Sequence, residues 1–274
     1  MAYERMGAAA LDYQPCRYPG SKLLFRGPRR RLDGAYAACL GGTETYGKFI
    51  ADPWPALLER DTGLTCVNFG WPNAGVDVFL NDTGVLRAAT GARLVILQVP
   101  GAQNLSNRFY KVHPRRNDRF LRARGPLRAA YPEVDFTEFH FTRHLLGRLQ
   151  ARSANRFAPV LAELQELWCA RMRLLLRRLD VPVVLLWLSG RAPGHGSDSP
   201  GLSHDPAFVT REMLADVRRF SAGCVEVLAT RPPAQGASRV TGLDNIAALQ
   251  LPDAAAHRRA AAALVPVVTG LSHQ

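Results

Sequence analysis

Lysine is scarce in this chain: of 35 basic residues only Lys22, Lys48 and Lys111 are lysines, and the other cations are arginines. Part of that bias is compositional, since an Ala- and Arg-rich chain fits a GC-rich coding sequence. Cysteine is sparse too. The five thiols (Cys16, Cys39, Cys66, Cys169 and Cys224) are odd in number and show no CxxC spacing, which argues against a disulfide framework or a thiolate zinc site. Cys39, Cys66 and Cys224 lie in or beside apolar runs and read as buried thiols. No apolar run approaches the roughly 20 residues of a membrane span, and the first residues lack a continuous apolar leader segment, so a cytoplasmic location is the default expectation. HEXXH and GxxxxGK[ST] are both absent, and no metal or cofactor is expected.

What is present begins with charge. The formal net charge is +12, carried almost wholly by arginine, whose planar fork suits carboxylate, phosphate or sulfate. An anionic small molecule or carbohydrate is therefore the expected ligand class. Nucleic acid is disfavoured, because no helix-turn-helix, zinc-finger or RNA-recognition signature accompanies the charge.

The strongest pattern is a series of short apolar runs, each followed by a turn-rich loop and then a helical stretch. Tyr36–Leu40 ends in Gly41-Gly42-Thr43, with a helix expected from Thr45 to about Arg60. Cys66–Phe69 ends in Gly70-Trp71-Pro72-Asn73, with a helical segment after it that is interrupted near Asn81–Gly84. Leu94–Val99 ends in Pro100-Gly101-Ala102-Gln103-Asn104. Val181–Leu188 and Val225–Ala229 complete the set, with a helix from Asp205-Pro206 to about Phe220 between them and a closing helix over Asp253–Val268. Five such runs alternating with helices predict a three-layer α/β/α domain around a five-stranded, mostly parallel sheet. Ligands bind such sheets beyond the carboxyl ends of the strands.

The chain reads as one domain over 1–274, with a basic arm over 1–34 and an insertion over about 105–158. The insertion reads as largely helical after Phe136 and leads into an amphipathic helix, Pro159 to Arg178. There Leu161, Leu164, Trp168, Met172, Leu175 and Leu179 form a core stripe. Arg191–Ser203, which holds His195, and the stretch 232–245 read as loops. His204 follows the first of them.

The first three turns resemble the sequence blocks of SGNH/GDSL hydrolases. Gly41-Gly42-Thr43-Glu44-Thr45-Tyr46-Gly47 is similar to that family's GDS-x-T-x-G, with Gly42 in place of the aspartate and Thr43 in place of the serine. Asn68-Phe69-Gly70-Trp71-Pro72-Asn73 resembles N-x-G-x-P-G, with Asn73 replacing an oxyanion-hole glycine. Gly101-Ala102-Gln103-Asn104 resembles G-x-N-D. In the closing block, Leu251 stands where the family has its catalytic histidine, and His257 falls at a helix position. The resemblance implies a flavodoxin-like SGNH fold with an atypical site: an ester hydrolase or O-acyltransferase, or a scaffold that has lost hydrolysis and binds an anionic ligand or a partner protein. The strings FRGP-R, LGGTETYGKF and GAQNLSNRFY-VHPRRNDRF carry a second resemblance, to a bacterial family with no assigned activity.

On the enzyme reading, Thr43 is the nucleophile and Asn104, with the backbone near Gly42 and Asn73, forms the oxyanion hole. The base is His113 or His257. The competing reading makes Thr43 or Thr45 a helix cap in a tight turn. Gln103, Asn104 and Asn73 either contact ligand or fix their own loops. Arg108, Arg115 and Arg116 either clamp an anion or form a solvated face. His140 and His144, one helical turn apart, read as a half-buried or interface pair rather than as metal ligands.

Overall fold

The computed structural model describes residues 11–194, 201–203, 205–229 and 251–272. His195, His204 and the 232–245 loop reading lie outside the described residues.

Five strands form a parallel sheet: β1 (Tyr36–Gly41), β2 (Thr65–Gly70), β3 (Leu94–Gln98), β6 (Val183–Ser189) and β7 (Gly223–Leu228), in the order β2-β1-β3-β6-β7. Every pairing is parallel, with Ala37 opposite both Cys66 and Leu94, and Leu185 opposite Cys224. With the strands of the insertion set aside, this is the 2-1-3-4-5 order of flavodoxin-like sheets. The five expected runs are the five strands, within one to two residues at most ends.

Both faces of the sheet are buried, and the pleat divides each strand between two apolar layers. Along β6, Val183, Leu185 and Trp187 enter one cluster while Val184, Leu186 and Leu188 enter the other. In β3, Val95 and Leu97 alternate with Leu94 and Ile96 in the same way. This is the physical reason the runs read as continuous rather than alternating. One layer is closed by α2 (Trp54–Thr62) and the final helix α9 (Ala254–Ser272). The other holds α3 (Val76–Asn81), α4 (Thr83–Thr90), α7 (Ala154–Leu179) and α8 (Arg211–Arg218).

Local chemistry sets the helix ends. The helix expected over Thr45–Arg60 divides into α1 (Thr43–Tyr46) and α2. Gly47 ends α1 in the left-handed region at φ 73°, and Pro53 is extended ahead of α2 at ψ 162°. Asp82 breaks the next segment and accepts from the Val85 N–H at 2.9 Å to start α4. α8 begins five residues after Pro206, where the Thr210 hydroxyl caps Met213 N–H, so the stretch from Asp205 to Val209 is loop rather than helix. α7 starts before Pro159 because Ser153 caps it. Five of the six expected stripe residues are buried along α7, and Leu161 is half-buried.

The insertion differs most from expectation. It opens with an antiparallel hairpin, β4 (Tyr110–Val112) and β5 (Phe120–Ala123), then α5 (Gly125–Ala130), a 3-10 turn and α6 (Thr142–Arg152). Tyr110, Val112, Phe120 and Ala123 face inward, while Lys111 and Arg122 stand opposite each other on the outer face. Strands of three and four residues are too short for a period-2 pattern to be recognised in an arginine-rich run. Among the described residues, no helix is long and apolar enough to cross a membrane.

The basic arm packs as a strap on β2. Tyr18 and Phe25 lie 5.0 and 5.2 Å from the Phe69 ring. Of the six cations between residues 17 and 31, three are already engaged: Arg30 with Glu59, Arg31 with Asp33, and the buried Arg26 with backbone carbonyls of Tyr46, Gly47, Ile50 and Ala51. Arg26 therefore anchors the segment that follows α1.

Candidate functional site

A cavity of about 520 Å³ opens at the carboxyl ends of β1, β2 and β3. It is lined by the first turn (Gly42, Thr43, Glu44), Asn73 after β2, Gln98 to Asn104 around the end of β3, Asp118 from the hairpin, Phe141 to His144 at the start of α6, and Asp205.

Gln98, the one polar residue of β3, organises the first turn. Its Oε1 accepts from Gly42 N–H and Thr45 N–H, both at 3.1 Å, and from the Thr45 hydroxyl at 2.5 Å. Its Nε2 donates to Glu44 Oε2 at 2.7 Å. Two consequences follow. Thr45 is fully buried and structural, so it is not a ligand contact. Gly42 N–H and Thr45 N–H are already satisfied by Gln98, which takes two donors from the N–H cluster an anion would need. Gly42 rather than a threonine precedes α1, and no side chain caps that helix. Gly70 permits the close approach, because a Cβ there would collide with the backbone of Thr45 and Tyr46.

Thr43 is held by Asn73 in both directions. Its hydroxyl donates to Asn73 Oδ1 at 3.3 Å and accepts from Asn73 N–H at 3.0 Å. Asn73 sits at φ 56°, a left-handed position where the family block has glycine. Its Nδ2 donates to Asp118 Oδ2 at 3.2 Å. Asn104 donates to Asn73 O at 3.0 Å and accepts from the Thr142 hydroxyl at 2.6 Å. Gln103 donates to Asp205 Oδ1 at 3.0 Å, while its Oε1 is buried without a partner.

The cavity is acidic. Burial, reinforced by the negative charge of Asp205, pushes the Glu44 carboxyl up from its ordinary value. Burial also raises Asp118, opposed by the bond from Asn73 and by Arg119 and Arg116. Asp205 is the third carboxyl, and Arg143 reaches it at 2.8 Å. The half-buried Arg191, pulled down to about 10 by desolvation, donates to Pro206 O and Val209 O and pins the segment that presents Asp205. His144 lines the wall with its ring 4.9 Å from Phe139.

Of the residues singled out in the sequence, Gly42, Thr43, Asn73, Gln103 and Asn104 meet at the cavity. Neither proposed base does. His113 uses Nδ1 to accept from Arg115 and Arg116 N–H, closing the hairpin turn. His257 lies in the opposite layer, where its Nδ1 accepts from Trp54 N–H at 3.0 Å. Among the described residues, no histidine is hydrogen-bonded to Thr43. Arg108 pairs with Glu163 at 3.0 Å, Arg115 and Arg116 are exposed, and none of the three lines the cavity. His140 and His144 are both exposed rather than half-buried, and no metal-binding cluster exists among the described residues.

Sequence reading missed Glu44, Gln98, Asp118, Arg143 and Asp205, and it named His144 only as the partner of His140, not as a residue of this cavity. Gln98 had a signal, a lone amide ending an apolar strand. Asp118 had another, as the single acid in an arginine-rich run. Glu44 stands next to Thr43 in the first turn, while Arg143, His144 and Asp205 reach the cavity only through the packing of α6 and of the loop after β6.

Fold and cavity together define a doubly wound α/β protein with a polar cleft at its strand ends. The chain belongs to the DUF6473 family, a domain of unknown function, whose model matches residues 1–272. No curated protein matches the chain. Among solved structures it is similar to the lipase Lip_vut3 from a goat rumen metagenome, at 9% identity and TM-score 0.40, covering 84% of this chain and 96% of that one. It is also similar to a catalytic mutant of an acetylxylan esterase from Geobacillus stearothermophilus, at 15% identity and TM-score 0.40, covering 85% and 93%.

Proposed function

We propose that the cavity binds a neutral, hydroxyl-rich ligand of carbohydrate type. The carrying observation is its lining: Glu44, Asp118 and Asp205 alternate with Asn73, Gln103 and Asn104, while Arg143 is already paired with Asp205. Carboxyl and amide groups at this density accept from and donate to hydroxyls, and they repel an anion. A volume of about 520 Å³ suits one or two sugar rings. The anionic ligand that the composition suggested is therefore not the occupant proposed for the cavity itself.

Thr43 takes part as a hydroxyl fixed by Asn73 rather than as an activated nucleophile. A second reading, acyl transfer, keeps one specific support: Thr43 and His144 line the same cavity. In that version His144 replaces His113 and His257 as the base, and the bond from Asn73 to Thr43 breaks when substrate enters.

The test is calorimetric titration with a panel of neutral oligosaccharides, alongside hydrolysis of short-chain p-nitrophenyl esters. Asp118→Asn should weaken sugar binding by about tenfold, and wild-type protein should turn over no ester. Ester turnover lost in both Thr43→Ala and His144→Ala would establish acyl transfer instead. Sugar affinities unchanged by Asp118→Asn would remove the cavity from consideration.

A further inference from the structure

The insertion hairpin has two sides with opposite electrostatics. Its turn delivers Asp118 to the cavity wall, and its outer face is cationic. From position 108 to 128 the chain carries Arg108, Lys111, Arg115, Arg116, Arg119, Arg122, Arg124 and Arg128 against a single acid, Asp118. All eight except the half-buried Arg119 are exposed. Among the described residues, Lys111, Arg115, Arg122, Arg124 and Arg128 are in no ion pair.

Lys111 and Arg122 are register partners across the two strands. Like charges directly opposite each other destabilise a strand pair, and no carboxylate relieves this one. The hairpin is held by its inner face and by the Trp71 Nε1–H, which donates to Arg115 O at 2.7 Å. A repulsive outer face kept on so short a hairpin calls for an anion from outside.

We propose that this face docks an acidic polysaccharide, one bearing carboxylate or sulfate groups at intervals, with a neutral unit of the same chain seated in the adjacent cavity. The inference rests on the carbohydrate reading of that cavity. Arginine forks match carboxylate and sulfate geometry, and the hairpin separates the two binding environments by only its own thickness. Nucleic acid fits less well, because the exposed Phe141 ring has Arg119 stacked over it at 4.4 Å, leaving no open platform for a base. A membrane surface fits less well, because Leu121 is the one exposed large apolar side chain on the hairpin.

The experiment measures binding of an acidic oligosaccharide that alternates uronate with neutral N-acetylhexosamine, compared with a neutral oligosaccharide of equal length. A short DNA duplex and phosphatidylglycerol vesicles serve as competing anions. The double variant Lys111→Glu with Arg122→Glu should bind the acidic oligosaccharide more than about tenfold more weakly, and added salt should weaken wild-type binding similarly. Neutral oligosaccharide binding should be unmoved by either change. Lys111→Gln with Arg122→Gln should show a smaller loss in the same direction, which separates charge from any folding defect. Unchanged acidic binding in both variants, or no acidic binding by wild type, overturns the proposal. Tighter binding of duplex or vesicles than of the acidic oligosaccharide overturns the choice of occupant. Loss of neutral binding in Asp118→Asn tests the cavity alone, so failure of either idea is visible separately.

Discussion

Single residues in this protein trade stability for a polar cleft. Glu44 is the clearest case: burial and Asp205 raise its carboxyl, so the native state binds its proton more tightly than the unfolded chain does. Stability from this group is complete at low pH and is lost as pH rises through an ordinary glutamate's 4.5 and on through the raised native value. Glu44→Gln keeps an acceptor for Gln98 and should raise the urea midpoint at neutral pH, with the gain vanishing below pH 4.5. The same variant should bind sugar less well. His257 behaves oppositely, since burial first and Arg26 second push it down to about 4 from 6.5. The unfolded chain therefore takes up its proton first, and stability present above pH 6.5 is lost as pH falls toward 4, by about 3 kcal/mol. His257→Asn places an oxygen near the position of Nδ1 and removes the titration. Urea midpoints measured between those pH values should slope in wild type and lie nearly flat in the variant.

At the scale of elements, α7 links the core to the site. Trp168 is fully buried in the middle of that helix and donates from Nε1 to Pro100 O at 2.9 Å, where the β3 loop begins. Trp168→Phe keeps most of the apolar area and leaves that carbonyl without its donor. The expected cost is about 2 kcal/mol in urea unfolding, together with faster amide exchange over 101–104. A variant with wild-type stability would show that the β3 loop is held by other contacts. The α7 stripe was legible because 26 residues give several turns of periodicity. The β4–β5 hairpin was not, because three- and four-residue strands in an arginine-rich stretch carry almost no pattern. The helix expected from Thr45 to Arg60 failed at Gly47 and Pro53, two breakers present in the sequence but outweighed by the surrounding helical residues.

Over the whole molecule, the charge of +12 is unevenly used. Three carboxylates, Glu44, Asp118 and Asp205, meet at the cleft, while the hairpin beside it carries eight cations between positions 108 and 128. Self-repulsion of this size weakens the compact state, and salt screens it. Thermal midpoints should therefore rise from low ionic strength toward physiological salt, then level off as the Debye length falls to about 8 Å. A midpoint that instead fell with salt would mean that surface ion pairs such as Arg156–Glu133 outweigh the repulsion.

Chain order and local pattern alone determined the five parallel strands, the position of the cleft beyond β1 to β3, and the presence there of Gly42, Thr43, Asn73, Gln103 and Asn104. Those features follow from runs of four to eight residues, and neighbouring residues in the chain are enough to encode them. Which acids and cations join them was decided only by tertiary structure. Asp118, Arg143 and Asp205 reach one cavity from three segments far apart in sequence, while His113 and His257, equally plausible from sequence, are turned to a hairpin turn and to the opposite layer. Side-chain type sets what a residue can bond, but only the packing of distant segments sets what it meets.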